Sequence, residues 1–290
     1  MVSAIESIML TLDDLGSGVR FFHEELGLPI VSDSHASVGL LAAWRHPVHE
    51  SVRLIELGPS GTGAASIRLA HFEDAAKAVR LVASDTPAAV PAATDGPRLL
   101  DARPAAPTLV LGHARVAPDA LPWIGPARKQ ERKAVSWVWI RASGELHRAR
   151  RFYAEALGFT ALPSLSDREP QACPPALARP LGIAAGEPLQ IEALRPAHGS
   201  GAGVVLFRSA IRDADVDPTC TGSRRRLGSE GVSLLSCRCD DLDGLIGRLR
   251  PLALEPLAAP SHVGTPQGPA RVMAVRGPEE ELLEFLETSD

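Results

Sequence analysis

The chain has 290 residues, 45% of them hydrophobic and 22% charged, which excludes a disordered polypeptide and is enough for two domains with cores of their own. A net charge of −5 gives no general attraction to nucleic acid or to acidic membranes, so neither is an expected partner. Four cysteines, two of them in Cys237-Arg238-Cys239, do not form a secreted disulfide framework.

The opening MVSAIESIML has no basic region and no long apolar core, so it does not read as a signal peptide. No stretch reaches the roughly 20 apolar residues of a membrane span, and a cytoplasmic protein is expected. Ala4–Leu12 alternates Ile8, Leu10 and Leu12 and reads as a strand. A helix follows, capped by Asp13 or Asp14, with Val19, Phe22 and Leu26 on one face and Gly27 at its end. The strand LPIVS comes next. Trp44–Glu50, WRHPVHE, brings His46 and His49 close together after a strand. Leu57–Leu69 reads as strand, Pro/Gly turn and strand. The GPSGTG within it lacks the Gly-Lys-Ser/Thr ending of a phosphate loop and reads as a hairpin turn. Residues 74–130 are rich in Ala and Pro, with strands expected near RLLDA and TLVLGH and no clear helix. Ala127–Lys133 reads as a linker.

The wording of the first segment then returns. RFFHEELGLPIVSDS (Arg20–Ser34) is echoed about 130 residues later by RFYAEALGFTALPSL (Arg151–Leu165). Val138 and Ile140 repeat the strand alternation, Ser143 is placed as a cap, and Leu146, Ala149, Phe152 and Leu157 form a helix face closed by Gly158. One extra residue before Glu145 aligns the copies. Leu194–Phe207 repeats Leu57–Leu69 with His198 inserted, so each copy is a β-α-β-β-β unit. A further unit follows. GVSLLSCRC alternates Leu235, Cys237 and Cys239 toward a helix as packing thiols. DDLDGLIGRLR is a capped helix with Leu242, Leu245 and Leu249, and ARVMAVRGPEEELLEFLE is a hairpin into a last strand. The basic runs HRARR (His147–Arg151) and RRR (Arg224–Arg226) read as solvated faces, with an anion site as the alternative.

In LDDLGSGVRFFHEELGL, SGELHRARRFYAEALGF, CDDLDGLIGRL and RGPEEELLEFLE the chain resembles the vicinal oxygen chelate superfamily, which includes glyoxalase I, bleomycin-resistance proteins, methylmalonyl-CoA epimerase and extradiol dioxygenases. The last segment is similar to the family's closing turn and strand. The resemblance spans most of the chain and is thin at 74–130. It implies an α+β fold in which tandem βαβββ units form two cup-shaped mixed sheets with helices on the outside. It also implies two domains, 1–126 and 134–290.

Metal-binding relatives take His or Gln from the first strand of a unit and Glu from the last, ligands suited to a divalent cation with open positions. Here the corresponding positions read Ser7, Arg68, Trp137, Leu206, Leu234 and Glu284, so no metal and no other cofactor is expected. Trp137, Trp139 and Arg141 alternate on one strand and would take a flat or acidic ligand by stacking and a charge-assisted bond. Ser7, Met9 and Thr11 share a face with Arg68, which would neutralise a ligand carboxylate or enolate. Glu284 is the candidate general acid or base, His46 a rim base, and His262, in PSHVGTP, a further ligand contact.

The function implied is that of a metal-independent enzyme. It would isomerise, cyclise or eliminate on a small aromatic or polyketide-like molecule by proton transfer, in bacterial specialised metabolism or aromatic catabolism. The alternatives are non-catalytic sequestration of a small molecule, as in drug resistance, and a metal-dependent lyase or extradiol dioxygenase with its ligands elsewhere. A small-molecule ligand is the expected partner, and the chain is expected as a monomer or homodimer.

Overall fold

A computed structural model describes residues 1–12, 14–25, 27–58, 65–73, 98–101, 109–113, 137–142, 146–162, 170–173, 178, 183–197, 201–209, 231–265 and 268–288. Outside these lie Asp13, Leu26, Ser143, His198, most of the GPSGTG turn, the 127–133 linker and the 224–226 basic run.

The repeated phrase builds the same object twice. Helix α1 (Leu15–Val19) is capped by the Asp14 carboxylate, which accepts from Ser17 N, and continues as a π-helical turn over Arg20–Glu25. Its counterpart α3 (Leu146–Arg151) continues as a π-helical turn over Phe152–Ala156. A wider turn at the same place in both copies swings the two adjacent aromatics, Phe21 and Phe22 or Phe152 and Tyr153, into edge-to-face pairs. Both segments then leave the helix through a left-handed glycine, Gly27 at φ 68° and Gly158 at φ 80°, which explains the repeated Leu-Gly.

Strands β1 (Val2–Thr11), β2 (Ile30–His35), β3 (Ser51–Leu57) and β4 (Ser66–Glu73) come from the first unit. β5 (Arg98–Asp101) and β6 (Leu109–His113) fall where RLLDA and TLVLGH were expected. β7 (Trp137–Arg141), β8 (Phe159–Ala161), β9 (Gln171–Ala172), β10 (Pro188–Pro196) and β11 (Gly203–Ser209) belong to the second copy. The last unit supplies β12 (Gly231–Cys239), helix α4 (Leu242–Leu249, capped by Asp241), β13 (Ser261–Thr265), β14 (Gly268–Arg276) and β15 (Leu282–Thr288). Helix α2 (Val38–Ala43), capped by Ser37, precedes WRHPVHE where a strand was expected. The cap and the run Val-Gly-Leu-Leu-Ala-Ala favour that helical turn.

These strands form two mixed sheets, as the α+β reading implied. One has eight strands in the order β13-β14-β15-β12-β1-β4-β3-β2. The other has the order β5-β6-β7-β11-β10-β8, with β9 also on β10. Because β1 runs antiparallel to β12, with Val2 opposite Cys239 and Ser7 opposite Ser236, the eight-stranded sheet joins the first unit to the last. The expected segments 1–126 and 134–290 therefore do not delimit the sheets. A helix and a hairpin motif can be read locally, whereas the strand a β-edge selects is a long-range choice.

The convex faces of the two sheets and the helices share one core. Ile5, Ile8 and Leu10 of β1, Val138 and Ile140 of β7, Val204 and Leu206 of β11, and Cys237 and Cys239 of β12 all enter it, together with Phe22, Tyr153 and Leu245 from the helical segments. The turn before β11 crosses directly onto β1. Ala202 N donates to Ile5 O at 3.2 Å, and Gly201, at φ 83°, leaves only 2.5 Å between an added Cβ and that same carbonyl. Gly201→Ala combines a left-handed alanine with a backbone clash, and its expected cost is about 2 kcal/mol or more in urea unfolding. An unchanged midpoint would show that the two sheets do not meet there.

Candidate functional site

The concave face of the eight-stranded sheet is built by both chain ends. Met9, Val52, Leu54, Ala70, Leu234, Ala274 and Leu282 make an apolar cup, filled from one side by Leu41 and Trp44 of the α2 segment. Into this cup the sheet register brings a polar row: Ser66 beside Ser7, Ser7 opposite Ser236, Ser236 beside Glu284, and Glu284 opposite Ala274. Arg68 lies one pleat along, beside Met9.

Glu284 is the hub. Its side chain is 0% exposed, and a carboxylate so placed is costly unless paired and hydrogen-bonded. Trp44 Nε1 donates to Oε2 at 2.6 Å, Ser236 Oγ donates to Oε1 at 2.5 Å, and Arg68 Nη1 lies 3.2 Å from Oε1. Arg68 Nη1 also donates to Ser236 Oγ at 3.3 Å. Arg68 is 15% exposed, so it joins the buried carboxylate to solvent. Among the described residues only Nη1 of Arg68 is hydrogen-bonded. Ser7 Oγ is buried in the same row without a hydrogen-bond partner among the described residues.

This donor set does not fit a divalent metal ion. One carboxylate, hydroxyls, a thioether and a guanidinium stand where imidazoles and carboxylates would be needed, and the guanidinium already places a positive charge against Glu284. Among the described residues no group of three or more His, Cys, Asp or Glu could hold a metal ion.

The residues expected to act together divide between two cups. Ser7, Met9, Arg68 and Glu284 share the eight-stranded one, with Thr11 farther along the same strand. Trp137 and Trp139 face the concave side of the other sheet, as the alternation required. There they are only 1% exposed, packed with Leu189, Ala193, Val205 and Phe207. Arg141 lies over the Phe207 ring at 5.7 Å, and Arg195 over Trp137 at 4.5 Å. The two indoles are walls of a packed core, not an open stacking platform. Leu206, expected at a ligand position, faces the opposite core, because the concave residues of β11 are Val205 and Phe207.

His46 follows α2 with its Nε2 2.9 Å from Glu50 Oε2 and its ring edge-on to Phe72 at 4.8 Å. It belongs to the rim, engaged with a carboxylate. His262 is exposed on β13, away from the apolar cup. Arg271 is paired with Glu287 and Asp243, and Arg276 with Glu280.

Besides Trp44, three participants escaped the sequence reading. Ser236 lies two residues past Leu234 on the same strand face, and only the register places it beside Glu284. Tyr153 and Glu281 form a second buried pair, Tyr153 Oη donating to Glu281 Oε1 at 2.7 Å across the shared core. Tyr153 is the chain's one tyrosine and stands where the first copy has Phe22, a signal visible in the repeat itself. Gly277 leaves room for the Glu281 carboxyl, which a Cβ there would strike, and Glu279 N donates to it at 2.8 Å. Burial raises Glu281 to about 7, against the opposing hydrogen bond from Tyr153. Burial and the neighbouring carboxylate hold the Tyr153 phenol well above its usual range.

Two outcomes follow for stability. Glu284→Gln leaves Arg68 without its counter-charge and is expected to cost about 3 kcal/mol. The double variant Glu284→Gln/Arg68→Met should recover a large part of that loss. Strict additivity in urea unfolding would rule out the coupling. For Glu281, the unfolded carboxyl ionises near 4.5 and the folded one near 7. The folded chain therefore holds an extra proton between those values, so this group makes stability fall as pH rises through the window. The fall is on the order of 3 kcal/mol. Glu281→Gln should flatten that part of the profile, and an unaltered slope would contradict the assignment.

With this geometry in hand, solved structures give a consistent match. The glyoxalase I of Zea mays matches at 10% identity over 98% of this chain and 92% of its own, with a TM-score of 0.51. A variant of that enzyme matches at 11% identity over 98% and 93%, also with a TM-score of 0.51. A glyoxalase family protein from Bacillus cereus matches at 18% identity over 56% of this chain and 97% of its own, with a TM-score of 0.41. No family model matches the sequence, and no curated protein does. The whole-length match, the two curled mixed sheets and the paired helix-strand units agree: the chain has the fold of the vicinal oxygen chelate superfamily, the fold of glyoxalase I.

Proposed function

We propose that the chain is a small-molecule binding protein. Its eight-stranded cup takes an anion-bearing, largely apolar molecule on Arg68 and does so without a metal. The observation that carries this reading is the Arg68 guanidinium. It is held from behind by fully buried Glu284 and by Ser236, while among the described residues the rest of its fork has no hydrogen-bond partner. A guanidinium fixed in that way, with apolar walls around it, suits a carboxylate or enolate oxygen. Ser7, buried beside it and without a hydrogen-bond partner among the described residues, offers a further hydroxyl to the same molecule.

Proton-transfer catalysis, the function first expected, needs an accessible base. Glu284 is sealed beneath its three donors, Trp44, Ser236 and Arg68, and His46 Nε2 stands 2.9 Å from the Glu50 carboxylate. Geometry requires a base within hydrogen-bond reach of the substrate proton, so binding accounts for this cup better than catalysis. Among the described residues no helix is long and apolar enough to cross a membrane.

The test is calorimetric titration with 2-naphthoate and with its neutral analogue 2-naphthamide. Preference for the carboxylate is expected, together with a loss of about tenfold or more in Arg68→Gln, the scale of one charge-assisted hydrogen bond. Equal affinity for both compounds, or an unchanged constant in Arg68→Gln, would overturn the proposal.

A further inference from the structure

A cleft of about 430 Å³ that shares no lining residue with either cup lies between α3 and the segment that follows α4. One wall is His147, Arg148 and Arg151 with Phe152 at its base. The other is Pro251, Leu252, Ala253 and Leu254, closed by Pro278. The volume is that of a small-ligand pocket, and the lining divides into a cationic wall and an apolar wall.

The repeat provides an internal control on the cationic wall. Aligning Arg20-Phe21-Phe22 with Arg151-Phe152-Tyr153 sets His147, Arg148 and Arg150 against Gly16, Ser17 and Val19 of α1. The first copy folds into the same α-then-π helix without them, so the fold does not require these charges. Of these charges Arg150 is paired with Glu192 at 3.6 Å, while Arg148 and Arg151 line the cleft. Arg151 pairs with Glu155 at 3.3 Å, with both side chains more than half exposed, a contact that a bound anion displaces at little cost. Arg148 has no carboxylate partner among the described residues. The apolar wall carries its own strain: Ala253 sits at φ 56°, a left-handed conformation unusual for a residue with a Cβ, and it turns the Pro251–Leu254 segment along the cleft.

We infer that this cleft binds a phosphate monoester with an apolar body. Two guanidinium forks and an imidazole match a dianion with three acceptor oxygens better than a single carboxylate, and the Pro/Leu wall covers the organic part. A dianion matches several cationic groups better than the single guanidinium of the cup, and the two sites share no residue.

The experiment is titration of the whole protein with 1-naphthyl phosphate, with 1-naphthol and inorganic phosphate as controls. With the cup saturated by 2-naphthoate, binding at one further site per chain is expected, with both controls weaker by about tenfold or more. Arg148→Gln/Arg151→Gln, on an exposed helix face, should keep the fold and lose at least about tenfold in affinity, while Arg68→Gln should leave it unchanged. Loss of naphthyl phosphate binding in Arg68→Gln with retention in the double variant would place the ligand in the cup and overturn the inference. So would equal affinity for 1-naphthol, or no binding at millimolar concentration.

Discussion

The structure depends on one pairing: β1 against β12. A strand that begins at Val2 chooses a partner that ends at Cys239, across nearly the whole chain. That choice costs loop-closure entropy, which grows only slowly with length and is outweighed by what the pairing buries. Ile5, Ile8 and Leu10 go into the shared core on one side, and Ser7, Met9 and Thr11 into the cup on the other. Without it, Arg68 and Glu284 would lie on separate sheets. The ion pair at the heart of the cup is therefore a consequence of topology before it is a matter of side-chain chemistry.

Once the ends are joined, burial sets the character of each site. Glu284 has no access to water, so it survives as a polar group only by collecting Trp44, Ser236 and Arg68. The same donors cover both of its oxygens, and through Arg68 they tie the carboxylate to β4. Glu281, equally buried, meets a phenol and a backbone amide instead of a cation, and its carboxyl is pushed up to about 7. Two carboxylates three residues apart on the closing segment thus take opposite parts because one faces the cup and the other the shared core.

Much of this was legible in the sequence. The repeated Arg-Phe-aromatic phrase and the Leu-Gly endings gave the helix-strand units, since helix periodicity, capping and left-handed glycines are local. The strand faces were also legible: Cys237 and Cys239 pack toward the helices, and Trp137 and Trp139 turn away from them. What could not be read was which units share a sheet. The Ser236–Glu284 contact escaped for the same reason, since it needs the β12–β15 register. α2 was also missed. Its single turn between two strands carries too little periodicity to announce a helix, yet it delivers Trp44 to Glu284.

The central claim is that a guanidinium anchored by Glu284 takes the place of a metal ion in the eight-stranded cup. Elemental analysis with native mass spectrometry, on protein purified without chelator, tests it most directly when wild type and Glu284→Ala are compared. No stoichiometric divalent metal is expected in either. A divalent metal present at one per chain in the wild type and lost from the variant would contradict the account.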